Sequence, residues 1–372
     1  MTELQARLRL IRTESVGPQT YRRLMERFAT ANAALEALPS LARQGGRSAP
    51  LAIPTISAIE RELADIARAG ARLMMLGDAD YPPYLAQLHD APAVLALKGD
   101  AALLKSRAIA VVGARNASAN GRRIAEDLAA GLAKAGVVVV SGLARGIDTA
   151  AHQGAMRTGR TIAAIAGGID MIYPPENAAL QEQIGRAHLL MAEAPIGTAP
   201  LARHFPKRNR IIAGLVSGIV VVEAAVKSGT MLTARLGVEA GREIFAVPGS
   251  PLDERCRGCN DLIRQGAHLT ETIEDIFANL PDQPGKSMAF SVIQDGGLAE
   301  PVSAWQDAQA DQAGLTRARR VITSLLGPTA LPVDEIARHC QCSAAILATV
   351  LMELEIAGRI AFLPGNRVAL LS

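Results

Sequence analysis

Ala108-Ile109-Ala110-Val111-Val112-Gly113-Ala114-Arg115-Asn116-Ala117-Ser118 decides the fold. An apolar run too short for a helix ends on a glycine and a polar turn, and an amphipathic stretch at helical spacing follows, so a buried strand leads through a loop into a helix. The same alternation continues along the chain. It predicts strands at Ala108 to Val112, Val137 to Val140, Thr161 to Ala166, His188 to Ala192, Ile219 to Val222 and Ile244 to Val247. Helices are predicted at about 119 to 135, 147 to 158, 176 to 185, 207 to 214 and 229 to 240. This is the pattern of an α/β protein with an extended Rossmann-like fold, a mostly parallel sheet covered on both faces. Right-handed crossovers gather the C-terminal ends of such strands on one edge, where ligands bind, so the loops at those ends are expected to carry the function.

On the N-terminal side, residues 1 to 72 carry helical periodicity and many arginines around a Val16-Gly17-Pro18 break. This predicts a small helical domain of the helix-hairpin-helix or SAM type, in which a glycine turn can approach DNA phosphates. Residues 73 to 280 form the Rossmann-like domain. Residues 281 to 316 lose the pattern and read as a linker carrying the lone Trp305. Residues 317 to 372 read as three helices and a hairpin around Pro364-Gly365-Asn366, a winged-helix domain. The 372 residues exceed what one core usually supports, in keeping with several domains. Glu3 and Arg7 interrupt any apolar run at the start, and no stretch approaches the ~20 apolar residues of a membrane span, so a cytoplasmic protein without membrane association is expected.

Lys+Arg 39 against Asp+Glu 36 leaves a net charge of +3, too small to announce a nucleic-acid binder, so local clustering must decide. Gly113, Arg115 and Ser118 form a first anion-binding loop, with Arg122 and Arg123 on the following helix and no acid between Ala101 and Arg123. Ser141, Gly142, Arg145 and Gly146 form a second loop. Asp148 at the helix entrance is read as an N-cap and His152 as a packed core histidine; both are structural rather than catalytic. The strongest signal is Arg203-His204-Phe205-Pro206-Lys207-Arg208-Asn209-Arg210, with four fixed positive charges in eight residues. Its apolar continuation anchors the segment, and Phe205 offers a face on which a base can stack. A last loop, Lys227-Ser228-Gly229-Thr230, opens another helix. No P-loop signature occurs, and no catalytic residue, metal or cofactor is expected. Cys256 and Cys259 have zinc-ligand spacing, but Cys340 and Cys342 lie in another domain, so ordinary reduced cysteines are the expectation.

Taken in order, Val111-Val112-Gly113-Ala114-Arg115-Asn116-Ala117-Ser118, Ser141 through Asp148, Ala151-His152, Phe205 through Arg210 and Val247-Pro248-Gly249 resemble the bacterial DprA (Smf) family. Tyr81-Pro82, Tyr173-Pro174 and Gly258 through Ala267 extend the likeness from about 80 to 280. The resemblance implies a homodimeric DNA-processing protein of natural transformation. Such a protein binds and protects incoming single-stranded DNA and helps load the RecA recombinase, without enzymatic turnover. It also implies that Arg115, the 141 to 148 loop and Lys207 to Arg210 line the DNA groove. Cys256 and Cys259 depart from the small or polar residues usual in the family at that stretch.

Two further expectations concern other classes of function. Ser343 to Glu355 contains no Lys or Arg and ends acidic, so the helix of the winged domain is expected to make protein contacts or to regulate rather than to enter a DNA groove. The alternative reading of the whole chain is a nucleotide-processing enzyme of the phosphoribohydrolase type, which would need Glu193 and Glu223 at the strand ends.

Overall fold

The computed structural model describes residues 1–280, 312–327, 329–363 and 367–371. Residues 281–311 of the predicted linker, with Trp305, and the hairpin tip at 364–366 lie outside the described residues, whereas 312–316, expected as linker, are helical because Leu315 packs into the C-terminal core. Contacts divide the chain into two compact units, Met1–Arg61 with Pro284–Ser372 and Glu62–Gln283.

In the first unit, α1 (Glu3–Ile11), α2 (Pro18–Arg27) and α3 (Ala31–Gln44) form the N-terminal helical module. Thr2 and Thr30 cap α1 and α3 with their hydroxyls, and Pro18 sits in the first turn of α2, where its missing N–H costs nothing. The chain then continues through α4 (Ile56–Arg68) into the second unit.

There β1 (Arg72–Met75), α5 (Pro83–Ala86) and β2 (Val94–Gly99) precede the alternating region. That region comprises β3 (Ala108–Gly113), α6 (Ala119–Lys134), β4 (Val138–Ser141), α7 (Ile147–Thr158), β5 (Thr161–Ile165), α8 (Ala178–Ala187) and β6 (Leu189–Ala192). It continues with α9 (His204–Leu215), β7 (Gly218–Val222), α10 (Gly229–Glu239), β8 (Glu243–Ala246), α11 (Glu254–Arg264), β9 (His268–Leu269) and α12 (Ile273–Ala278). The nine strands are ordered β1-β2-β6-β5-β4-β3-β7-β8-β9. All neighbours from β6 to β9 pair in parallel, whereas β2 runs antiparallel to both β1 and β6.

Side chains alternate between the two faces of each strand, and both faces are buried. Ala110, Val112, Val140, Ile219 and Val221 pack with Ile211 and Ile212 of α9, and Ile109, Val111, Val139, Val220 and Val222 pack with Leu128 and Leu132 of α6 and Ala151 of α7. Each fully buried Val, Ile or Leu stabilises by roughly 1.5–3 kcal/mol relative to exposure, which explains why these strands read as unbroken apolar runs.

The C-terminal part of the first unit holds α13 (Gln312–Leu325), β10 (Leu331–Pro332), α14 (Val333–Cys340), α15 (Ala344–Ile356), β11 (Ile360–Leu363) and β12 (Arg367–Leu370). Its small antiparallel sheet has the order β10-β12-β11, and Leu315, Ile322, Ile336, Val350, Leu354 and Val368 form its core. Helix α15 does not stand free: every residue from Thr349 to Ile356 is buried, and the helix packs on α2 and α3. The Thr20 hydroxyl donates to Glu355, Arg319 pairs with Glu353 at 2.5 Å, and the Arg23 guanidinium lies 5.2 Å from the centre of the Phe362 ring. The acidic end of α15 therefore makes protein contacts within this chain. Among the described residues no single helix is long and apolar enough to cross a membrane.

Candidate nucleic-acid interface

The neighbours of β3 are β4 and β7, so the chain turns to opposite sides of the sheet around β3 and leaves a switch point at its C-terminal end. Three loops meet there. Ser118 donates its backbone N–H to Glu223 Oε2 at 2.8 Å and its hydroxyl to Glu223 Oε1 at 2.5 Å. Thr230 Oγ1 donates to the Gly113 carbonyl at 2.9 Å, and Ile147 N–H donates to the Ala114 carbonyl at 3.2 Å. Gly146 has φ +76, and a Cβ on it would lie 2.2 Å from the Ala114 oxygen, so only glycine permits this closure. The loops after β3, β4 and β7 thus form one rim.

Two carboxylates already occupy several of the loop amides. Asp148 is not the N-cap of α7, a position held by Gly146. Its buried Oδ2 instead turns back and accepts from Gly142 N at 3.1 Å and Ala144 N at 3.3 Å, which stiffens the loop without capping the helix. Burial pushes the Asp148 carboxyl up from its ordinary range, opposed by Arg208, whose Nη1 is 3.7 Å away, and by the two amides. Ser141 is fully buried and donates to the Val111 carbonyl at 2.7 Å, so its hydroxyl does not face a ligand. Gly142 is packed by the Arg208 guanidinium, which fills the space a side chain would take. Ser118 spends its hydroxyl on Glu223 and on Gly121 N, as the cap of α6, and Ser228 caps α10. The amides of Gly142 and Ser118 are therefore satisfied by the protein itself.

The basic run behaves differently from its appearance in sequence. It opens α9, whose helical period separates neighbouring charges. Arg203 and Lys207 are exposed, whereas Arg208, Asn209 and Arg210 are buried. Arg210 pairs with Glu193 at 2.5 Å and donates to the Asp90 carbonyl at 2.6 Å, and Asn209 donates to the Gly229 carbonyl at 3.3 Å. The expectation that these two side chains line a groove is corrected: they tie α9 to its neighbours. Arg208 is intermediate in role. It lies under the Phe205 ring at 5.8 Å, with its Nε buried and lacking a hydrogen-bond partner.

Above it, the exposed Arg115 guanidinium lies 4.8 Å from the centre of the same ring, and Tyr173 meets Phe205 edge-on at 5.7 Å. Arg115 and Phe205, 90 residues apart in sequence, are thus brought into contact. Tyr173 completes this face; its only signal in the sequence is its place in the Tyr173-Pro174 landmark. Arg145 is exposed on the β4 loop and pairs with Glu176 at 2.5 Å.

Other candidates fall outside this face. His152 is fully buried, its Nδ1 2.7 Å from Thr161 Oγ1, and burial lowers its pKa to about 3, in keeping with a core residue. Glu193 and Glu223, required by the enzymatic alternative, are held by Arg210 and Ser118. Cys259 is packed against the Val221 carbonyl with its thiol pushed up to about 12 by burial, and among the described residues no group of side chains is arranged to hold a metal ion.

Comparisons with known proteins identify the family of the chain. A family model described as DNA recombination-mediator protein A matches residues 72–281, a DprA-like N-terminal HHH domain matches 2–64 and a DprA winged helix domain matches 306–366. The DNA processing protein DprA of Bacillus subtilis is 44% identical over 227 residues, covering 60% of this chain and 76% of its own length. Protein Smf of Escherichia coli is 36% identical over 321 residues, covering 84% and 81%. Among solved structures, DprA from Streptococcus pneumoniae matches with a TM-score of 0.67 and 36% identity over 76% of this chain and 99% of its own. Helicobacter pylori DprA, described for its single-stranded DNA binding mode, matches with a TM-score of 0.51 and 29% identity over 56% and 94%. The nine-stranded sheet, the flanking modules and these matches together place the chain in the DNA recombination-mediator protein A family, also named DprA or Smf.

Proposed function

We propose that this chain binds and protects single-stranded DNA at the rim formed by the loops after β3, β4 and β7, acts as a homodimer, and delivers the strand to the RecA recombinase in natural transformation and recombination, without turnover. The contact between Arg115 and Phe205 carries the reading. A guanidinium held on an aromatic ring presents a bidentate phosphate donor, and its plane and the exposed Tyr173 ring beside it offer a surface for base stacking, a pairing suited to a flexible strand with unstacked bases. Several loop amides are satisfied internally, so phosphate recognition falls mainly on Arg115, Arg145 and Lys207. Gly113, Ser118, Ser141, Gly142, Gly146, Asn209, Arg210, Ser228, Gly229 and Thr230 shape the surface that carries them. The description of the Helicobacter pylori relative supports the choice of ligand.

Titration of fluorescent single-stranded and duplex oligonucleotides of equal length at several salt concentrations tests this. Single strands are expected to bind more tightly, and Arg115→Ala and Lys207→Ala each to reduce the slope of log K against log salt by about 0.7. Equal binding of duplex, or unchanged slopes in both variants, counts against the assignment. Recombinase delivery is checked by whether the protein shortens the lag before RecA assembles on strands already covered by another binding protein.

A further inference from the structure

Beside the rim, α6 and α7 pack along one another, and their N-terminal ends frame an open cleft of about 630 Å³. Arg122 and Arg123 of α6 and Arg145 of the β4 loop line it, with Gly146, Gln153 and Asn177. All three guanidinium groups are exposed. Arg122 makes no ion pair among the described residues, and Arg123 stands 3.7 Å from Asp127, an exposed pair that holds it weakly. Arg145 pairs with Glu176, with both side chains more than half exposed, so a phosphate can compete for it. The one acid lining the cleft, Glu126, is engaged by Arg157. The cleft therefore presents an excess of positive charge beside the polar side chains of Thr149, Gln153 and Asn177, too open to enclose a small molecule but suited to an extended polyanion. It is also continuous with the rim. Gly146 lines the cleft, and a side chain on it would strike the Ala114 and Arg115 carbonyls, so the backbone of the loop that carries Arg115 borders the cleft.

We infer that the α6–α7 cleft is a second phosphodiester-binding segment, in which Arg122, Arg123 and Arg145 hold the part of a single strand that extends beyond the Arg115–Phe205 face. This rests on the single-strand reading above and adds a length dependence that the rim alone does not have. The full chain, and an Arg122→Ala/Arg123→Ala variant whose exposed positions leave the core untouched, are titrated with oligothymidylates of about 4 and about 16 nucleotides across a salt series. An unchanged circular dichroism spectrum and melting curve confirm that the variant is folded.

The variant is expected to bind the short oligomer as wild type does and to lose about 1.4 in salt slope on the long one, two phosphate contacts at about 0.7 each. Arg115→Ala is expected to weaken both lengths. If the double variant matches wild type on the long oligomer, or loses the same factor on both, the cleft assignment is overturned while the rim stands. If the wild-type chain binds neither length, both readings are overturned.

Discussion

Glu223 leaves β7 with φ +53, a left-handed conformation that costs a non-glycine residue about 1–3 kcal/mol, and its carboxylate takes both bonds from Ser118. The bonds offset the strain and fix the loop that carries Arg115. Replacement by alanine keeps the strain and loses the bonds, whereas glycine loses the bonds and relieves the strain. Urea denaturation is therefore expected to rank wild type above Glu223→Gly and Glu223→Gly above Glu223→Ala, with alanine losing about 3 kcal/mol; an alanine variant as stable as wild type would show that the clamp contributes nothing. His152 allows a second test. The Thr161 hydroxyl donates to the Val139 carbonyl, so His152 Nδ1 must donate to Thr161, leaving Nε2 unprotonated in the core. Its pKa of about 3 lies below the ordinary 6.5, so the stability tied to its neutral form is present above pH 6.5 and is lost as the pH falls toward 3. Nitrogen NMR is expected to show the Nδ1–H tautomer throughout the neutral and mildly acidic range; a protonation midpoint near 6.5 would contradict this burial.

Helices show how one composition serves opposite ends. Along α9 the cations divide by helical phase, Lys207 to solvent and Arg210 to the Glu193 and Asp90 carboxylates. Along α15 the acids Glu353 and Glu355 are buried against protein. Burial pushes Glu355 up to about 8, with Arg23 opposing, while the unfolded chain titrates near 4.5. A raised carboxyl pKa means that the associated stability is fully present below 4.5 and declines as the pH rises through about 8. Melting of the full chain between about pH 5 and 9 is expected to fall more steeply for wild type than for Glu355→Gln, which cannot ionise; parallel curves would exclude Glu355 as the titrating group.

For the whole molecule, the grouping of Met1–Arg61 with the C-terminal segment matters most. Helices α2 and α3, on which α1 packs, owe part of their burial to α15, which lies about 300 residues away in sequence. A chain ending at residue 280 retains all nine strands of the large sheet but strips that cover. Hydrogen exchange is expected to accelerate in α1 to α3 of the shortened chain while β3 to β8 keep their protection. Equal protection of α1 to α3 in both chains would show that the N-terminal helices stand alone.

Sequence by itself determined the alternating strands β3 to β8 and helices α6 to α10 to within about three residues, because burial on both faces of a parallel sheet writes itself as apolar runs broken by helical spacing. It also identified Arg115 and Phe205 as candidates, since a glycine loop after a strand and an aromatic in a basic run are local patterns. Strands β1 and β9, short and at the sheet edges, and the reversed β2 were not read, because their pairing is set by distant partners. Only the tertiary structure decided which cations are free. Arg208 and Arg210 look like Lys207 in sequence, but Asp148, Glu193 and Asp90 reach them from other segments, and charge pairing across the fold leaves no trace in local spacing.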